Sequence, residues 1–459
     1  MANDISDIAN KSMATMDHEK PDSPLRKAIT GPLLFLFILG DVLGAGVYAL
    51  MGVLAGKVGG ALWLPMLVAL FLAMLTAGSY AELVTKYPRA GGAAVFAERA
   101  FKKPMLSFLV GFSMLAAGLT SAAGLSLAFS GSYLSTFINV PQTTAAVVFL
   151  ALVSLLNARG IKESLKINVG MTLIELSGLV IVMFAGAYLV SRGAGDVSRV
   201  LEFPVDTSAA SATLAGAVIA YYAFVGFETS ANVAEEMKNP ARSYAPALFG
   251  SLLVAGLIYV GVGLAASVAL PPAELAASTG PLLAVVDASG LGVPNWMFSF
   301  IALIAVANGA LLTMIMTSRL TYGMADEGLL PKVLGRVLPK RRTPWVAILA
   351  TTVVAMALTL IGDLSTLAET VVLLLLFVFI STNAAVIVLR HEPVAHEHFR
   401  VWTIMPYLGI ASCLLLMAQQ SARVWGLAGI FLVVGVGLYG LARIGANSSM
   451  SVPPSVDSP

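Results

Sequence analysis

The sequence predicts an all-α polytopic membrane protein with twelve transmembrane helices. Three observations predict it. Of 459 residues, 58% are hydrophobic and 11% are charged, whereas a soluble domain carries about 25% charge. Apolar runs close to the roughly 20 residues that cross a bilayer's hydrocarbon recur along the chain. Lysine and arginine gather in every second connection between those runs, the pattern that marks cytoplasmic loops. A mean hydropathy of +0.88 agrees.

The elements follow in order. Residues 1–28 are polar, lack the apolar stretch of a signal peptide, and are expected to form a flexible cytoplasmic tail. Apolar spans are then expected at 31–56, 60–84, 105–136 and 143–158, the last of them short. Spans at 167–190, 209–235, 246–270 and 295–323 come next. The last four are expected at 344–361, 366–389, 402–420 and 424–442. The transporter domain thus covers 29–443, and 444–459, small, polar and proline-rich, is a second flexible cytoplasmic tail. No soluble domain interrupts it. Loop 271–290 is expected to carry a short amphipathic helix on the outer face, and 326–344 one on the inner face.

Orientation follows from the cations. Lys11, Lys20, Arg26 and Lys27 precede the first span, and Lys86, Arg89, Arg99, Lys102 and Lys103 flank or fill the second-to-third connection. Further cations are Arg159, Lys162 and Lys166, then Lys238 and Arg242, then Lys332, Arg336 and Lys340 to Arg342, and last Arg390 and Arg400. The alternate connections are nearly bare, holding Arg192, Arg199 and Arg423. Both termini are therefore expected inside.

Composition also excludes functions. Net charge is +2, without a basic stripe, so no nucleic-acid partner is indicated. The histidines, His18, His391, His396 and His398, fall in tails or loops, and the single cysteine, Cys413, reads as a small buried hydrophobe. No metal cluster, no cofactor and no nucleophile–base pair of an enzyme is indicated. A channel would need a filter-like ring or a charge ladder, and a receptor a large extramembrane domain; neither is visible.

Two spans carry glycine where a helix should be continuous. One is "GDVLGAGVYALMG" (40–52), with Gly40, Gly44, Gly46 and the charged Asp41. The other is "AYYAFVGFETSANVAEEMKNPARSYAP" (220–246), with Gly226 beside Glu228. Non-helical backbone at membrane depth is tolerated only where it is buried in protein or lines a cavity. The two lie five spans apart, matching positions in two five-helix repeats of opposite orientation, the pattern that points to a transporter site. A break frees N–H groups at one half-helix, which bind anions, and C=O groups at the other, which bind cations. A zwitterionic amino acid suits both. Close helix packing is the alternative use of such glycines and is the role expected for Gly40.

Four motifs, in order, resemble those of the amino acid–polyamine–organocation transporters. They are "GDVLGAGVYAL" in the first helix, "SYAELVTKYPRAGGAAVFAERAF" (79–101), "AFVGFETSANVAEEMKNPARSYAPAL" (223–248) and "TSRLTYGMADEGLLPKVLGRV" with "RTP" (317–344). The resemblance covers about 28–445. It implies a LeuT-like five-plus-five inverted repeat (31–190 and 209–389) plus two C-terminal helices (402–442), alternating access, and secondary transport of amino acids or related amines.

By the same resemblance, amides around Gly44, Ala45 and Gly46 would hold a substrate carboxylate, and carbonyls around Ala220, Phe224 and Val225 its α-amine. Tyr222 falls where the family's arginine/agmatine antiporter has a gating tryptophan; it either caps substrate or is a core tyrosine. Asn308 and Thr313 are polar within an apolar span, and either face the pocket or bond a neighbouring helix.

With no histidine in the membrane, proton coupling would need carboxylates. Intramembrane ionisable residues are costly and functional by default, and withdrawal from water favours a carboxylate's protonated form. Asp41, one turn before the first break, is a substrate or proton contact or else a local helix cap. Glu228 matches a glutamate used in proton sensing in the family, and otherwise anchors the unwound segment. Glu175, in "MTLIELSGLVIVMF", departs from the resemblance: several relatives place a lysine there, whose ammonium stands in for sodium. A glutamate inverts that charge and would carry a proton or pair with a cationic substrate. Of the remaining acids, Glu82 is expected in a structural ion pair beside Lys86 and Arg89, and Glu369 exposed near the outer face. The leading expectation is a proton-coupled amino acid symporter of the cytoplasmic membrane, and the alternative an exchanger of cationic amino acids or polyamines.

Overall fold

The structure, a computed structural model, describes residues 29–88, 92–159, 165–339 and 343–450. The N-terminal tail, Arg89, Lys162, Lys340, Arg341, Arg342 and everything past residue 450 lie outside the described residues. Within them the fold is almost wholly helical, and the pairing of Ile29 with Met237 is an isolated bridge.

The first span is two helices, α1 (Gly31–Leu43) and α2 (Ala45–Val58), and α3 (Trp63–Lys86) is the second. A short α4 (Gly92–Phe101) leads into α5 (Pro104–Phe129) and a single turn, α6 (Ser132–Ser135). The fourth and fifth spans are α7 (Gln142–Arg159) and α8 (Leu165–Ser191). The sixth begins as α9 (Ala209–Ala223) and resumes as a 3-10 helix over Phe227–Glu236. The seventh is α10 (Pro240–Ala269). Two short helices, α11 (Pro272–Ala277) and α12 (Pro281–Ser289), take the place of the one expected in 271–290. After α13 (Asn295–Asp326), where a short helix was expected in 326–344, the described residues of the loop form a 3-10 turn over Lys332–Gly335. The chain closes with α14 (Trp345–Ile361), α15 (Leu364–Leu389), α16 (Met405–Ala418) and α17 (Ala422–Met450), whose backbone runs past the expected end at 442.

Local sequence explains the ends. Proline opens α1, α5, α10 and α16 within their first two positions, where its missing N–H costs nothing. Asp363 caps α15 by accepting from the Thr366 amide at 2.9 Å. Ten segments among the described residues are long and apolar enough to cross a membrane. Helices α14 and α16, at 17 and 14 residues, are apolar but shorter than that measure.

The ten differ in how deeply they sit. In α3 and the α5 segment, 78% of the spanning window is buried, against 28% for α7 and 22% for α17. The segments α1–α2, α3, α5, the sixth with α9, and α15 are thus the inner ones, and α7, α8 and α17 present their apolar faces outward. Neutral hydrogen bonds join neighbouring helices: Ser79 of α3 donates to Asn383 of α15 at 2.7 Å, and Asn157 of α7 to Ser318 of α13 at 3.1 Å. Such bonds contribute roughly 0.6–2 kcal/mol each between membrane helices.

Candidate functional site

The first helix breaks at a single residue. Helix α1 stops at Leu43, α2 starts at Ala45, and Gly44 lies between them. The amides of Ala45 and Gly46 therefore fall in the first turn of α2, where a helix cannot pair its own N–H groups. The sixth helix breaks over Phe224, Val225 and Gly226. Gly226 has φ of +126°, a region open to glycine and strained for any other residue.

The two breaks interlock. A side chain on Gly46 would come 2.9 Å from the Ala223 Cα, and one on Gly226 would come 3.1 Å from the Asp41 carbonyl oxygen. The glycines are thus required by the approach of one break to the other. The Thr229 hydroxyl bonds the Asp41 carboxylate and also lies 2.7 Å from the Gly226 carbonyl. The Tyr259 hydroxyl, on α10, reaches both breaks, bonding the carbonyl of Val42 and, at 3.1 Å, that of Ala223.

Where the freed carbonyls go decides what the site can bind. Those of Tyr221 and Tyr222 accept from the amides of Phe224 and Val225 at 3.0 and 3.1 Å. Among the described residues no turn closes on the carbonyls of Phe224 and Val225. Ala220 is fully buried within α9, three residues before its end. The Phe224 and Val225 carbonyls are thus those within the break itself that no turn among the described residues occupies.

The three acids gather around the breaks. The Glu228 carboxylate accepts from the Gly226 amide at 2.9 Å and so caps the segment after the break. Glu175 is fully buried on α8. Its Oε1 accepts from the Asn308 side-chain amide at 3.0 Å, and its Oε2 has no partner among the described residues. Asp41, one turn before the first break, accepts from the Thr229 hydroxyl beyond the second. Tyr48 of α2 donates to the main-chain carbonyl of Glu175 at 2.6 Å, and Tyr133 to that of Tyr48 at 2.9 Å, tying α2 to α8 and α6.

The other candidates divide. Tyr222 is buried, its hydroxyl 2.8 Å from Ser121 on α5, and its ring lies beside Gly46. Helix α13 meets the start of α2, where a side chain on Gly309 would come 3.3 Å from the Ala45 Cβ. Asn308 thus bonds the neighbouring helix α8, one residue from the place where α13 packs on the start of α2. Thr313 is half-buried five residues further on, and its carbonyl accepts from Thr317 at 2.7 Å.

Two acids outside the breaks need correcting. Glu82 does form an ion pair, but with Arg390 at the end of α15, through bonds of 2.9 and 2.7 Å, while Lys86 turns to the Leu389 carbonyl. Glu369, expected exposed, is 8% exposed and pairs with Lys57 at 3.1 Å, with Ser365 donating to the same oxygen. Lys57 lies in the last turn of α2 and pairs across to α15. Thr229 and Tyr259 bond the breaks and Tyr48 bonds the Glu175 carbonyl, and no sequence signal singled them out. An apolar groove along Leu67, Val68, Leu70, Phe71 and Met74 lies on α3 alone, away from the breaks.

Residues 31–437 match the sequence profile of the amino acid permease family. The chain is 27% identical over 436 residues to a branched-chain amino acid permease of Bacillus subtilis, covering 88% of this chain and 90% of that one. It is 27% identical over 407 residues to a vacuolar cationic amino acid transporter of Arabidopsis thaliana, covering 84% and 67%. It is 25% identical over 451 residues to a methylthioribose transporter of Bacillus subtilis, covering 94% and 96%.

Proposed function

The chain belongs to the amino acid permease family, and on that premise we propose that it moves amino acids across the cytoplasmic membrane by alternating access, coupled to proton symport. It is a transporter and not an enzyme. The observation that carries this reading is the meeting of the two breaks. Helix-terminal N–H groups at Ala45 and Gly46 and open carbonyls at Phe224 and Val225 are the complementary halves of a site for a carboxylate and an ammonium group.

In this reading α14 and α16 also cross, giving twelve spans. Residues 31–190 and 209–389 form the inverted repeats, 402–442 adds two helices, and both termini are cytoplasmic. The short α14 and α16 fit a span through tilting neighbours and local thinning of the bilayer. Proton coupling rests on Asp41, Glu175 and Glu228, with Glu175 the acid whose second oxygen is uncommitted. Tyr222 lies over the site where a substrate would sit against Gly46.

A second reading, exchange of cationic amino acids or polyamines, draws on those same acids. A polyamine, lacking a carboxylate, would leave the amides of α2 without their natural partner.

The test is uptake by purified protein in proteoliposomes, with labelled leucine, arginine and putrescine, an imposed inward proton gradient, and sodium varied. Accumulation of an amino acid that follows the proton gradient and ignores sodium is expected. Uptake that needs sodium and ignores the proton gradient would sink proton coupling. Uptake only against a preloaded substrate would favour exchange.

A further inference from the structure

We propose that Tyr259 is a positioning residue that sets recognition of the substrate's ammonium group, by holding the carbonyl ends of both broken helices on one point. The proposal rests on the reading that the breaks bind an amino acid.

Tyr259 belongs to neither broken helix. It sits on α10, fully buried, with its ring 5.3 Å from that of Phe224 and nearly perpendicular to it. That edge-to-face contact, a favoured aromatic geometry, fixes the ring against the sixth-helix break. Its hydroxyl bonds the Val42 carbonyl near the end of α1, and lies 3.1 Å from the Ala223 carbonyl at the end of α9. Both are C-terminal ends of half-helices, where partial negative charge collects. Two such ends repel, and a hydroxyl between them offsets the repulsion.

A phenol has one proton and cannot satisfy two carbonyls at once. The Val42 bond is the closer, so the Ala223 carbonyl keeps acceptor capacity while being held in place. It stands beside the open carbonyls of Phe224 and Val225. The hydroxyl therefore collects acceptors toward one cationic group without neutralising all of them. Without it, the Val42 and Ala223 carbonyls are buried acceptors with no fixed donor, and each turns toward whatever donor it can reach.

The experiment is competition against labelled leucine or arginine, whichever the wild-type protein carries, in proteoliposomes. Three competitors are compared: the amino acid, the matching amine without a carboxylate (isoamylamine or agmatine), and the matching α-keto acid without an ammonium. For Tyr259→Phe, affinity for the amino acid and the amine is expected to fall about tenfold, the worth of one buried hydrogen bond. Affinity for the keto acid stays unchanged. Thr229→Val, which loosens the breaks through Asp41, is expected to weaken all three alike. Equal loss across the three in Tyr259→Phe would make Tyr259 a general structural prop and overturn the proposal. No change, or tighter amine binding, would also overturn it. Should Tyr259→Phe fail to fold, Tyr259→His, which keeps a ring and an N–H donor, replaces it; it is expected to retain the preference for the ammonium-bearing ligands, and its loss would count against the proposal. A wild-type protein that binds the keto acid as well as the amino acid would instead refute the substrate reading beneath it.

Discussion

Glu82 and Glu175 are both buried carboxylates within the helical bundle, and they are held in opposite ways. Glu82 receives two bonds from the Arg390 guanidinium and a third from the Val401 amide at 2.9 Å, so both oxygens are committed and its charge is matched. Glu175 receives one bond, from the neutral amide of Asn308, and its second oxygen has no partner among the described residues. A matched, bidentate pair has no reason to change its protonation while the protein works. A carboxylate held by a neutral donor has no fixed countercharge, so taking up a proton removes an uncompensated buried charge. The first arrangement clamps helices together, and the second is suited to a coupling role. The difference lies in the partners, because burial is the same.

The largest expected effect separates the two directly. Glutamine at position 175 keeps the size and an acceptor for Asn308 but cannot exchange a proton. Glu175→Gln is expected to abolish accumulation driven by a proton gradient while leaving counterflow exchange intact. The measurement is uptake with and without an imposed gradient, alongside exchange in preloaded vesicles. Accumulation equal to wild type would remove Glu175 from the coupling step and leave Asp41 and Glu228 to supply it.

A smaller effect is expected at the clamp, and on stability instead of coupling. Arg390→Met removes one partner of a buried pair and leaves the Glu82 charge uncompensated, a loss of about 3–5 kcal/mol. It is read as a lower midpoint of thermal unfolding in detergent. The double variant Glu82→Gln with Arg390→Met removes both charges and is expected to recover most of that loss. Transport in the double variant should still follow the proton gradient. If it did not, the contrast between a clamp and a coupling site would collapse.

Much of this arrangement was legible in the sequence, for identifiable reasons. Glycine at 44, 46 and 226 in otherwise apolar helices is a local signal, and the breaks fall at Gly44 and at 224–226. Asp41, Glu175 and Glu228 stood out because charge is rare in spans. Tyr259 did not, because a tyrosine in an apolar helix looks the same whether or not its hydroxyl bridges two distant carbonyls. The partner of Glu82 was misread for a related reason. Lys86 and Arg89 are near in sequence, but Arg390 is 308 residues away and only the packing of α3 against α15 brings it close. Glu369 was expected exposed because it lies near the start of a span, and its pairing with Lys57 of α2 is a contact between residues distant in the chain.

That last pair gives the smallest expected effect, and it tests how far the comparison extends. Lys57 and Glu369 are oppositely charged and 3.1 Å apart, yet the lysine side chain is 42% exposed and the glutamate 10%. The pair is therefore neither matched in burial like Glu82 with Arg390 nor left open like Glu175. Water screens the lysine, so the attraction resembles that of a surface pair, which contributes about 0–1 kcal/mol and weakens with salt. Lys57→Gln should shift the unfolding midpoint only slightly, and the shift should shrink further at high ionic strength. A loss as large as that of Arg390→Met, insensitive to salt, would mean that Glu369 depends on Lys57 as Glu82 depends on Arg390. The molecule would then hold two clamps, one at each end of α15, in place of one clamp and one solvated contact.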